Sequence, residues 1–305
     1  MNILITGANG QLGQELARTL TVHRPRSISG DRQLFLFSHR ELDITSPDLV
    51  MGAFQQVNPA VVIHAAAYTN VDGCELNPDL AFRTNALGTR NVAVAAEKVG
   101  AKLIYISTDY VFDGRDGTGA LRQKPYTEFD RTNPLSVYGR SKLAGEEYAL
   151  ALARRVFIVR TSWLYGPGGN NFVRTILRLA QERKEALARG LPVEPLRVVD
   201  DQVGSPTYTV DLAWVIAQLL ETERYGLYHV SNSGSTSWYQ FARAILEVVG
   251  WTEVEITPIT TAELGRPAPR PPYSVLDNYC LRLEGFVPPR PWREALVEFL
   301  NQKPG

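Results

Sequence analysis

The segment Thr6-Gly7-Ala8-Asn9-Gly10-Gln11-Leu12-Gly13 follows the apolar run Ile3-Leu4-Ile5 and precedes residues with helical periodicity. Its glycines are spaced GxxGxxG. Gly7 permits a sharp turn, Gly10 lets the backbone approach a pyrophosphate, and Gly13 lets the helix pack tightly on the strand. The free N–H groups and the positive end of the helix favour an anion at this turn. A tight turn without a ligand is the alternative, but the order strand, turn, helix favours a dinucleotide-binding site.

The rest of the chain alternates short apolar runs with amphipathic stretches. The predicted strands are Ile3–Ile5, Leu34–Phe37, Val61–Ile63, Leu103–Ile106 and Val156–Val159. The predicted helices are Gln11–Leu20, Asp48–Val57, Leu80–Val99, Ser136–Ala153, Phe172–Leu187, Trp238–Val249 and Trp292–Leu300. The stretches Asp211–Leu220 and Leu227–Val230 are expected to return to the main domain. Near-continuous apolar strands separated by helices are typical of a parallel sheet that is covered on both faces. The pattern predicts an α/β protein with a doubly wound parallel sheet (a Rossmann fold) and a smaller C-terminal substrate-binding lobe.

Changes in composition divide the chain between these two parts. We predict a dinucleotide-binding domain from residues 1–166 plus about 205–232, and a substrate lobe from about 167–204 plus 233–305. The polar stretch Thr21–Arg32, between the first helix and the second strand, is interpreted as a surface loop insertion.

The end of the second predicted strand bears on the choice of nicotinamide cofactor. Sites for NAD usually carry an acidic residue there, which holds the ribose 2′-hydroxyl, but this strand ends in Ser38-His39-Arg40. A guanidinium at Arg40 can pair with the 2′-phosphate of NADPH. A solvated arginine beside a turn is an equally good interpretation, so NADH stays open. Asp43 is expected near the adenine.

The motif Tyr138-Gly139-Arg140-Ser141-Lys142 puts a phenol and an ammonium one helical turn apart on one face. A free phenol titrates at about pH 10, and a neighbouring ammonium together with oxidised nicotinamide lowers that value. Tyr138 can then give a proton to a developing alkoxide, while Lys142 reaches the nicotinamide ribose. An exposed helical pair is the common alternative for an isolated YxxxK motif. Thr108 favours catalysis, because its hydroxyl follows the fourth strand at the sheet edge where ligands bind.

These motifs together resemble the extended short-chain dehydrogenase/reductase superfamily, and more narrowly the dTDP-4-dehydrorhamnose reductase family. The resemblance runs over nearly the whole chain. It is carried by the glycine turn and by the following segments: Ala65–Asp72 (AAAYTNVD), Ser107–Gly114 (STDYVFDG), Thr161–Tyr165 (TSWLY), Asn170–Phe172 (NNF) and Asp201–Thr207 (DQVGSPT).

The resemblance implies reduction of dTDP-4-dehydro-L-rhamnose to dTDP-L-rhamnose by NADPH or NADH. The cofactor contacts that it implies are Gly10, Gln11, Leu12, Asp43, Ile44, Ala67, Tyr68, Thr69, Tyr138 and Lys142. The sugar contacts that it implies are Thr108, Asp109 and Trp163. Asn85 matches an asparagine of the superfamily, although a helix-bending or capping amide is an equal interpretation. Some members bind Mg²⁺ through glutamates at a dimer interface. Only Glu15 matches, so the sequence does not support a metal site, but Mg²⁺ dependence and a homodimer both stay open.

A nucleoside diphosphate needs cations, and Arg266 precedes the proline-rich segment 267–272 while Arg270 lies within it. Guanidinium groups fork onto phosphate oxygens, and prolines stiffen a loop. We therefore expect Arg270 to contact the substrate, with a solvated proline-rich loop as the alternative. Trp163 would pack on the sugar or simply belong to the core. Trp238 is interpreted as opening and packing a helix.

Composition excludes several classes of protein. Lys+Arg and Asp+Glu are 32 each in 305 residues, which argues against a nucleic-acid partner. Cys74 and Cys280 have no metal-ligand or CxxC spacing and are expected to be reduced thiols. Since no apolar stretch is long enough for a bilayer and no secretory signal is recognisable, we expect a soluble cytoplasmic protein without a membrane partner.

Two other functions share parts of this pattern. A nucleotide-sugar epimerase has the same fold but keeps its NAD bound and returns the hydride. A non-catalytic regulatory subunit, such as the methionine adenosyltransferase β subunit, resembles the same family. The presence of Thr108, Tyr138 and Lys142 together favours an enzyme.

Overall fold

The computed structural model describes residues 1–22 and 33–302. Within these ranges, six parallel strands form the main sheet in the order β10-β5-β4-β3-β1-β2. Its strands are β1 (Asn2–Thr6), β2 (Gln33–Phe37), β3 (Val61–His64), β4 (Lys102–Thr108), β5 (Val156–Thr161) and β10 (Gly226–His229). The connections run outward in opposite directions from β1 and β3, so the strand order reverses beside the glycine turn. Ligands of open α/β sheets bind at such a reversal, and the predicted doubly wound α/β fold is confirmed.

The short strands β6 (Leu164–Tyr165), β7 (Leu196–Val199), β8 (Val203–Gly204), β9 (Thr207–Tyr208), β11 (Thr236–Ser237) and β12 (Ile256–Ile259) form three separate pairs. The helices are α1 (Gln11–Val22), α2 (Pro47–Val57), α3 (Val71–Leu76), α4 (Pro78–Ala81), α5 (Thr89–Lys98), α6 (Val137–Leu152), α7 (Phe172–Ala188), α8 (Thr209–Leu220), α9 (Trp238–Val248), α10 (Thr261–Leu264), α11 (Tyr279–Leu283) and α12 (Trp292–Asn301). Among the described residues, no helix is both long and apolar enough to cross a bilayer.

Three apolar clusters account for most of the core. One lies between the sheet and helices α1 and α8, and a second lies on the opposite face beneath α2, α5 and α6. The third joins α7, α9 and α12 in the C-terminal lobe. Burial on both faces explains why the strand sequences are almost continuously apolar. The domain limits predicted above stay a prediction.

The region predicted as one helix, Leu80–Val99, differs from that prediction. It begins at Pro78 and is divided by a π-helical segment, Phe82–Gly88, between α4 and α5. A π segment inserts extra chain into a helix without changing its apolar periodicity enough to be recognised in a sequence. The insertion predicted over Thr21–Arg32 lies outside the described residues from position 23 onward; Thr21 and Val22 still belong to α1.

Candidate active site

A cleft of about 790 Å³ lies at the carboxyl ends of the sheet strands, between the sheet and the lobe. Most of the residues predicted for the site line it. They are Gly7, Gly10, Gln11, Leu12, Gly13, Ile44, Ala67, Thr69, Thr108, Asp109, Tyr138, Lys142 and Trp163. Four predicted residues do not line it: Arg40, Asp43, Tyr68 and Arg270. The cleft also includes residues that were not predicted, notably Ser38, His39 and Trp238.

The glycine turn is built as its spacing predicts. Gly7 has a φ of 70°, and a Cβ there would lie 2.7 Å from the backbone nitrogen of Ala66. A Cβ on Gly13 would lie 2.3 Å from the carbonyl oxygen of Gly7, so only glycine lets α1 start this close to β1. The bare backbone that results is a cradle of the shape that a pyrophosphate needs.

The loop after β2 presents a different set of groups from the one predicted. Ser38 and His39 line the cleft, whereas Arg40 is exposed beside it. The Asp43 carboxylate accepts hydrogen bonds from the amide and hydroxyl of Thr45, at 2.9 and 2.8 Å, and these bonds lower its pKa. Asp43 therefore stabilises the turn that leads to the cleft residue Ile44.

Tyr68 and Asn85 show how the floor of the cleft is held. Asn85, in the π-helical segment, accepts from the Tyr68 amide at 2.7 Å and donates to the Tyr68 carbonyl at 3.1 Å. The same side-chain amide donates to the Ser141 hydroxyl at 3.0 Å, and Ser141 donates to the Tyr138 carbonyl at 2.8 Å. Asn85 thus connects the loop that carries Ala67 and Thr69 to the helix that carries Tyr138.

Helix α6 begins immediately before the predicted proton donor. The Ser136 side chain caps it by accepting from the Gly139 amide at 3.1 Å, and Glu75 accepts from the Val137 amide at 2.6 Å. These two hydrogen bonds fix the first turn of α6. Because Tyr138 lies in that turn, they also fix the direction in which its half-buried side chain leaves the helix. Burial raises the pKa of the Tyr138 phenol, and its hydrogen bond with Thr108 opposes that rise. The predicted lowering of this pKa is therefore not produced by the residues around the phenol alone.

Lys142 lies one turn further along α6 and is almost fully buried. Its Nζ donates to the Ile106 carbonyl at 2.6 Å and lies 4.1 Å from the centre of the Tyr105 ring. Burial lowers the pKa of Lys142 to about 7, while the Glu146 carboxylate opposes that shift. Glu146 is itself paired with Arg160 at 2.6 Å and accepts from the Ser107 hydroxyl at 2.5 Å.

Thr108 ends β4, and the buried Asp109 follows it at the edge of the cleft. The Thr108 hydroxyl donates to Asp109 at 3.1 Å, and the Ser274 hydroxyl donates to the other carboxylate oxygen at 2.5 Å. Burial raises the pKa of Asp109 to about 7, against the effect of these hydrogen bonds. Ser274 lies 165 positions further along the chain, so Asp109 ties a distant C-terminal segment to the end of β4 at the cleft.

Arg270 does not line the cleft and is bound to Asp72 of α3. It donates to Asp72 at 3.0 Å, and Arg266 donates to the other oxygen of the same carboxylate at 3.2 Å. The backbone amide of Ala268 also donates to Asp72 at 3.2 Å. The Asp72 carboxylate thus holds the proline-rich segment 267–272 against α3 and binds two guanidinium groups.

Trp163 lines the cleft with an unusual backbone, since its φ is 47°. Its ring stacks on Trp238, which opens α9 as predicted but also lines the cleft. This second role of Trp238 could not be predicted, because nothing in the local sequence pattern shows that the two tryptophans meet.

The histidines His64 and His229 are fully buried, and burial lowers the pKa of each to about 3. His64 bridges the hydroxyls of Thr6 and Thr89 at 2.7 and 3.1 Å, a structural role at the end of β3. Glu15 is engaged by Arg18 at 2.6 Å. In the part of the chain that the structure describes, no group of three or more potential metal ligands comes together.

Comparison with known proteins agrees with this geometry. The model of the RmlD substrate binding domain matches residues 1–304. The spore coat polysaccharide biosynthesis protein SpsK of Bacillus subtilis is 42% identical over 301 residues, which cover 99% of this chain and 97% of that protein. The crystal structure of a dTDP-4-dehydrorhamnose reductase from Clostridium acetobutylicum has a TM-score of 0.88 at 44% identity and 99% coverage of both chains. That of the Bacillus anthracis reductase in complex with NADP has a TM-score of 0.86 at 44% identity and 98% coverage of both chains.

The fold and the site define an NAD(P)-dependent oxidoreductase of the extended short-chain dehydrogenase/reductase superfamily. Within that superfamily, the chain belongs to the RmlD family. The predicted family and the predicted class of enzyme are therefore confirmed.

Proposed function

We propose that this chain reduces the 4-keto group of dTDP-4-dehydro-L-rhamnose to a hydroxyl, forming dTDP-L-rhamnose, with NADPH as the reductant. The observation that carries the proposal is that Thr108, Tyr138 and Lys142 line the same cleft as the glycine turn. The names of two relatives at 44% identity support the choice of substrate.

The glycine cradle fits a dinucleotide, because side chains at Gly7 or Gly13 would fill the space against the backbone. A bound nicotinamide would supply a hydride to the carbonyl carbon. Tyr138 donates its phenolic proton to the carbonyl oxygen, so that the hydride and the proton together convert the ketone to an alcohol. Thr108 orients the same oxygen by a hydrogen bond, and Lys142 in its charged form favours the phenolate that Tyr138 becomes.

At the sugar end, Asp109 and Trp163 are the proposed contacts, and both border the cleft. For the diphosphate we propose Arg270, aided by Arg266. Asp72 offers one negative charge to two guanidinium groups, so this cluster keeps a net positive charge that favours an anionic ligand. His39 and Arg40 are the groups available for the 2′-phosphate of NADPH.

The test follows the absorbance of NADPH after addition of dTDP-4-dehydro-L-rhamnose, with wild type, Tyr138→Phe and Tyr148→Phe. Tyr148 is a second phenol on α6 that does not line the cleft, so its variant controls for removal of a hydroxyl from this helix. Wild type and Tyr148→Phe should oxidise one NADPH per sugar, whereas Tyr138→Phe should lose about 10²- to 10⁴-fold in kcat.

Product formation without net consumption of NADPH would instead identify an epimerase. Absence of any turnover by wild type would contradict the proposed substrate. Full activity of Tyr138→Phe would remove Tyr138 from the role of proton donor.

A further inference from the structure

A second tyrosine, Tyr110, lies beside the proposed proton donor in the cleft. Its ring meets the Tyr138 ring edge to face, with centroids 5.6 Å apart and an angle of 75° between the planes. Aromatic pairs prefer this T-shaped arrangement. Tyr110 belongs to the 3₁₀ turn Asp109–Val111 that follows β4, whereas Tyr138 lies in α6, so the contact joins the strand end to the helix.

The main chain of Tyr110 is fixed to both elements that carry the reacting groups. Its amide donates to the Thr108 hydroxyl at 3.2 Å. Its carbonyl oxygen lies so close to the first turn of α6 that a Cβ on Gly139 would be 2.2 Å from it, and only glycine allows this approach. Since Gly139 directly follows Tyr138, Tyr110 sets how closely this turn of the helix approaches Thr108.

The side chain of Tyr110 is held by the proline-rich segment. Burial raises the pKa of the Tyr110 phenol to about 12, and a hydrogen bond between this phenol and the Arg270 guanidinium opposes that rise. Arg270 in turn donates to Asp72 at 3.0 Å, and its side chain is only 11% exposed. A ring that is bonded at its hydroxyl cannot swing away from Tyr138 without breaking this contact.

The position of the Tyr138 phenol matters for the rate. A proton donor must lie within hydrogen-bond distance of the oxygen that it protonates, and a displacement of about 1 Å can cost about 10²-fold in rate. The Tyr138 ring packs on the small buried cluster around Cys74, and its phenol forms a hydrogen bond with Thr108. Packing alone leaves an aromatic ring free to tilt, so the edge contact with Tyr110 supplies a further constraint.

We propose that Tyr110 is a positioning residue, which holds the Tyr138 phenol in line with the ketone oxygen of the substrate and is itself held by Arg270. This inference rests on the proposed function, since it concerns the proton that Tyr138 gives to the ketone. Because Arg270 is also the proposed contact of the diphosphate, one guanidinium then serves both the nucleotide end of the substrate and the ring that aims the proton.

The test compares Tyr110→Leu and Tyr110→Phe with wild type. In Tyr110→Leu, we expect kcat to fall about ten- to a hundredfold, while the KM values for NADPH and for the sugar nucleotide change less than about threefold. Tyr110→Phe keeps the ring edge and loses only the hydrogen bond with Arg270, so kcat should fall only about two- to fivefold. Tyr148→Leu is the control, since Tyr148 lies on α6 and does not line the cleft, and it should retain the wild-type kcat.

A double variant distinguishes positioning from a separate role. If Tyr110 acts through the Tyr138 phenol, adding Tyr110→Leu to Tyr138→Phe should lower kcat no further, because the hydroxyl that it aims is already absent. Rates in D2O give a second readout. Slower proton transfer should raise the solvent isotope effect on kcat in Tyr110→Leu, and Tyr148→Leu should leave this isotope effect unchanged.

Unchanged kcat in Tyr110→Leu, an effect confined to the KM for the sugar nucleotide, or a further loss of kcat in the double variant would overturn the positioning role. Unchanged kcat in Tyr110→Phe would overturn the part of Arg270, and this variant removes a single oxygen, so it leaves the packing intact. Calorimetric binding of NADPH, which needs no sugar, shows that each variant retains a folded cleft.

Failure of wild type to oxidise NADPH with this sugar would instead overturn the proposed function. The ring contact would then be tested by urea denaturation of Tyr110→Leu, Tyr138→Leu and the double variant. The losses of stability are non-additive if the two rings support each other, and additive losses would overturn the contact whatever the substrate.

Discussion

The Nζ atom of Lys142 donates a 2.6 Å hydrogen bond to the main-chain oxygen of Ile106, two residues before Thr108 on the same strand. The ammonium is thus fixed to the strand that carries the hydroxyl of the site. Because burial brings the pKa of Lys142 down to about 7, its charge titrates in the range in which the enzyme would work.

This titration predicts a pH profile. Lys142 is charged below its pKa and neutral above it, so kcat/KM for NADPH should fall as the pH rises through about 7. Glu146 raises the pKa of Lys142, and Glu146→Gln should therefore move the fall to lower pH. Initial rates across the pH range, on samples shown to be folded by circular dichroism, would measure the shift.

Glu147→Gln is the matched control, since Glu147 is the next residue of α6 and is exposed. Asp109 also titrates at about 7, but Glu146 is not among the groups that set its pKa, so the comparison reports on Lys142. A profile that is identical in wild type and Glu146→Gln would contradict the assignment.

The ion pair between Glu146 and Arg160 predicts a large effect on stability. Its side chains are only 3% and 5% exposed. Arg160→Met would leave a buried carboxylate without its cation and should reduce the free energy of unfolding by about 3–5 kcal/mol. Urea denaturation would measure this loss. Glu182→Gln, in the exposed pair with Arg178, should cost less than about 1 kcal/mol. Equal effects of the two substitutions would show that burial does not decide how much an ion pair contributes to the free energy of unfolding.

Glycine 13 offers a test of the cofactor cradle. Gly13→Ala would push a methyl group to 2.3 Å from the Gly7 carbonyl. We expect it to lower the free energy of unfolding by about 1–3 kcal/mol and to weaken the binding of NADPH, measured by calorimetry. At Gly52, inside α2, a Cβ would meet nothing within 4 Å, so Gly52→Ala should stabilise the protein by about 0.5–1 kcal/mol. Unchanged affinity for NADPH in Gly13→Ala would argue against the cradle.

Arg40 tests the preference for NADPH. If its guanidinium pairs with the 2′-phosphate, Arg40→Ala should raise the KM for NADPH about fivefold and leave the KM for NADH unchanged, because NADH has no 2′-phosphate. The expected rise is no larger because an exposed ion pair contributes at most about 1 kcal/mol to binding. Steady-state kinetics with each cofactor would separate the two values. A similar change in the KM for both cofactors would show that Arg40 is a solvated side chain without a role in cofactor choice. His39→Ala would then be the next variant to examine.

The placement of residues that belong to one short motif could be predicted from the sequence. The glycine turn, the Tyr138–Lys142 pair and the strand end at Thr108 each depend on spacing along a few residues, and helix and strand periodicity places them on the same edge of the sheet. The structure brings all of them into one cleft.

Long-range pairings could not be predicted. Arg270 meets a carboxylate 198 positions away, and no pattern in the proline-rich segment indicates Asp72 as its partner. The Trp163–Trp238 stack likewise depends on how the lobe packs on the sheet. The direction of the pKa shift at Tyr138 depends on how deeply the phenol is buried, and the periodicity of the sequence does not show the burial of an individual side chain.

Because Asn85 lies in the π-helical segment Phe82–Gly88, the hydrogen bonds of its side chain depend on the number of residues in this helix. Deleting a single residue there would restore ordinary winding and rotate Asn85 away from Tyr68 and Ser141. A relative shortened at this point would keep the tyrosine and the lysine of the YxxxK motif. It would lose the hydrogen bonds by which the Asn85 amide holds the start of that helix. Helix length, as much as motif content, would therefore separate a chain that retains this architecture from one that only shares its signature.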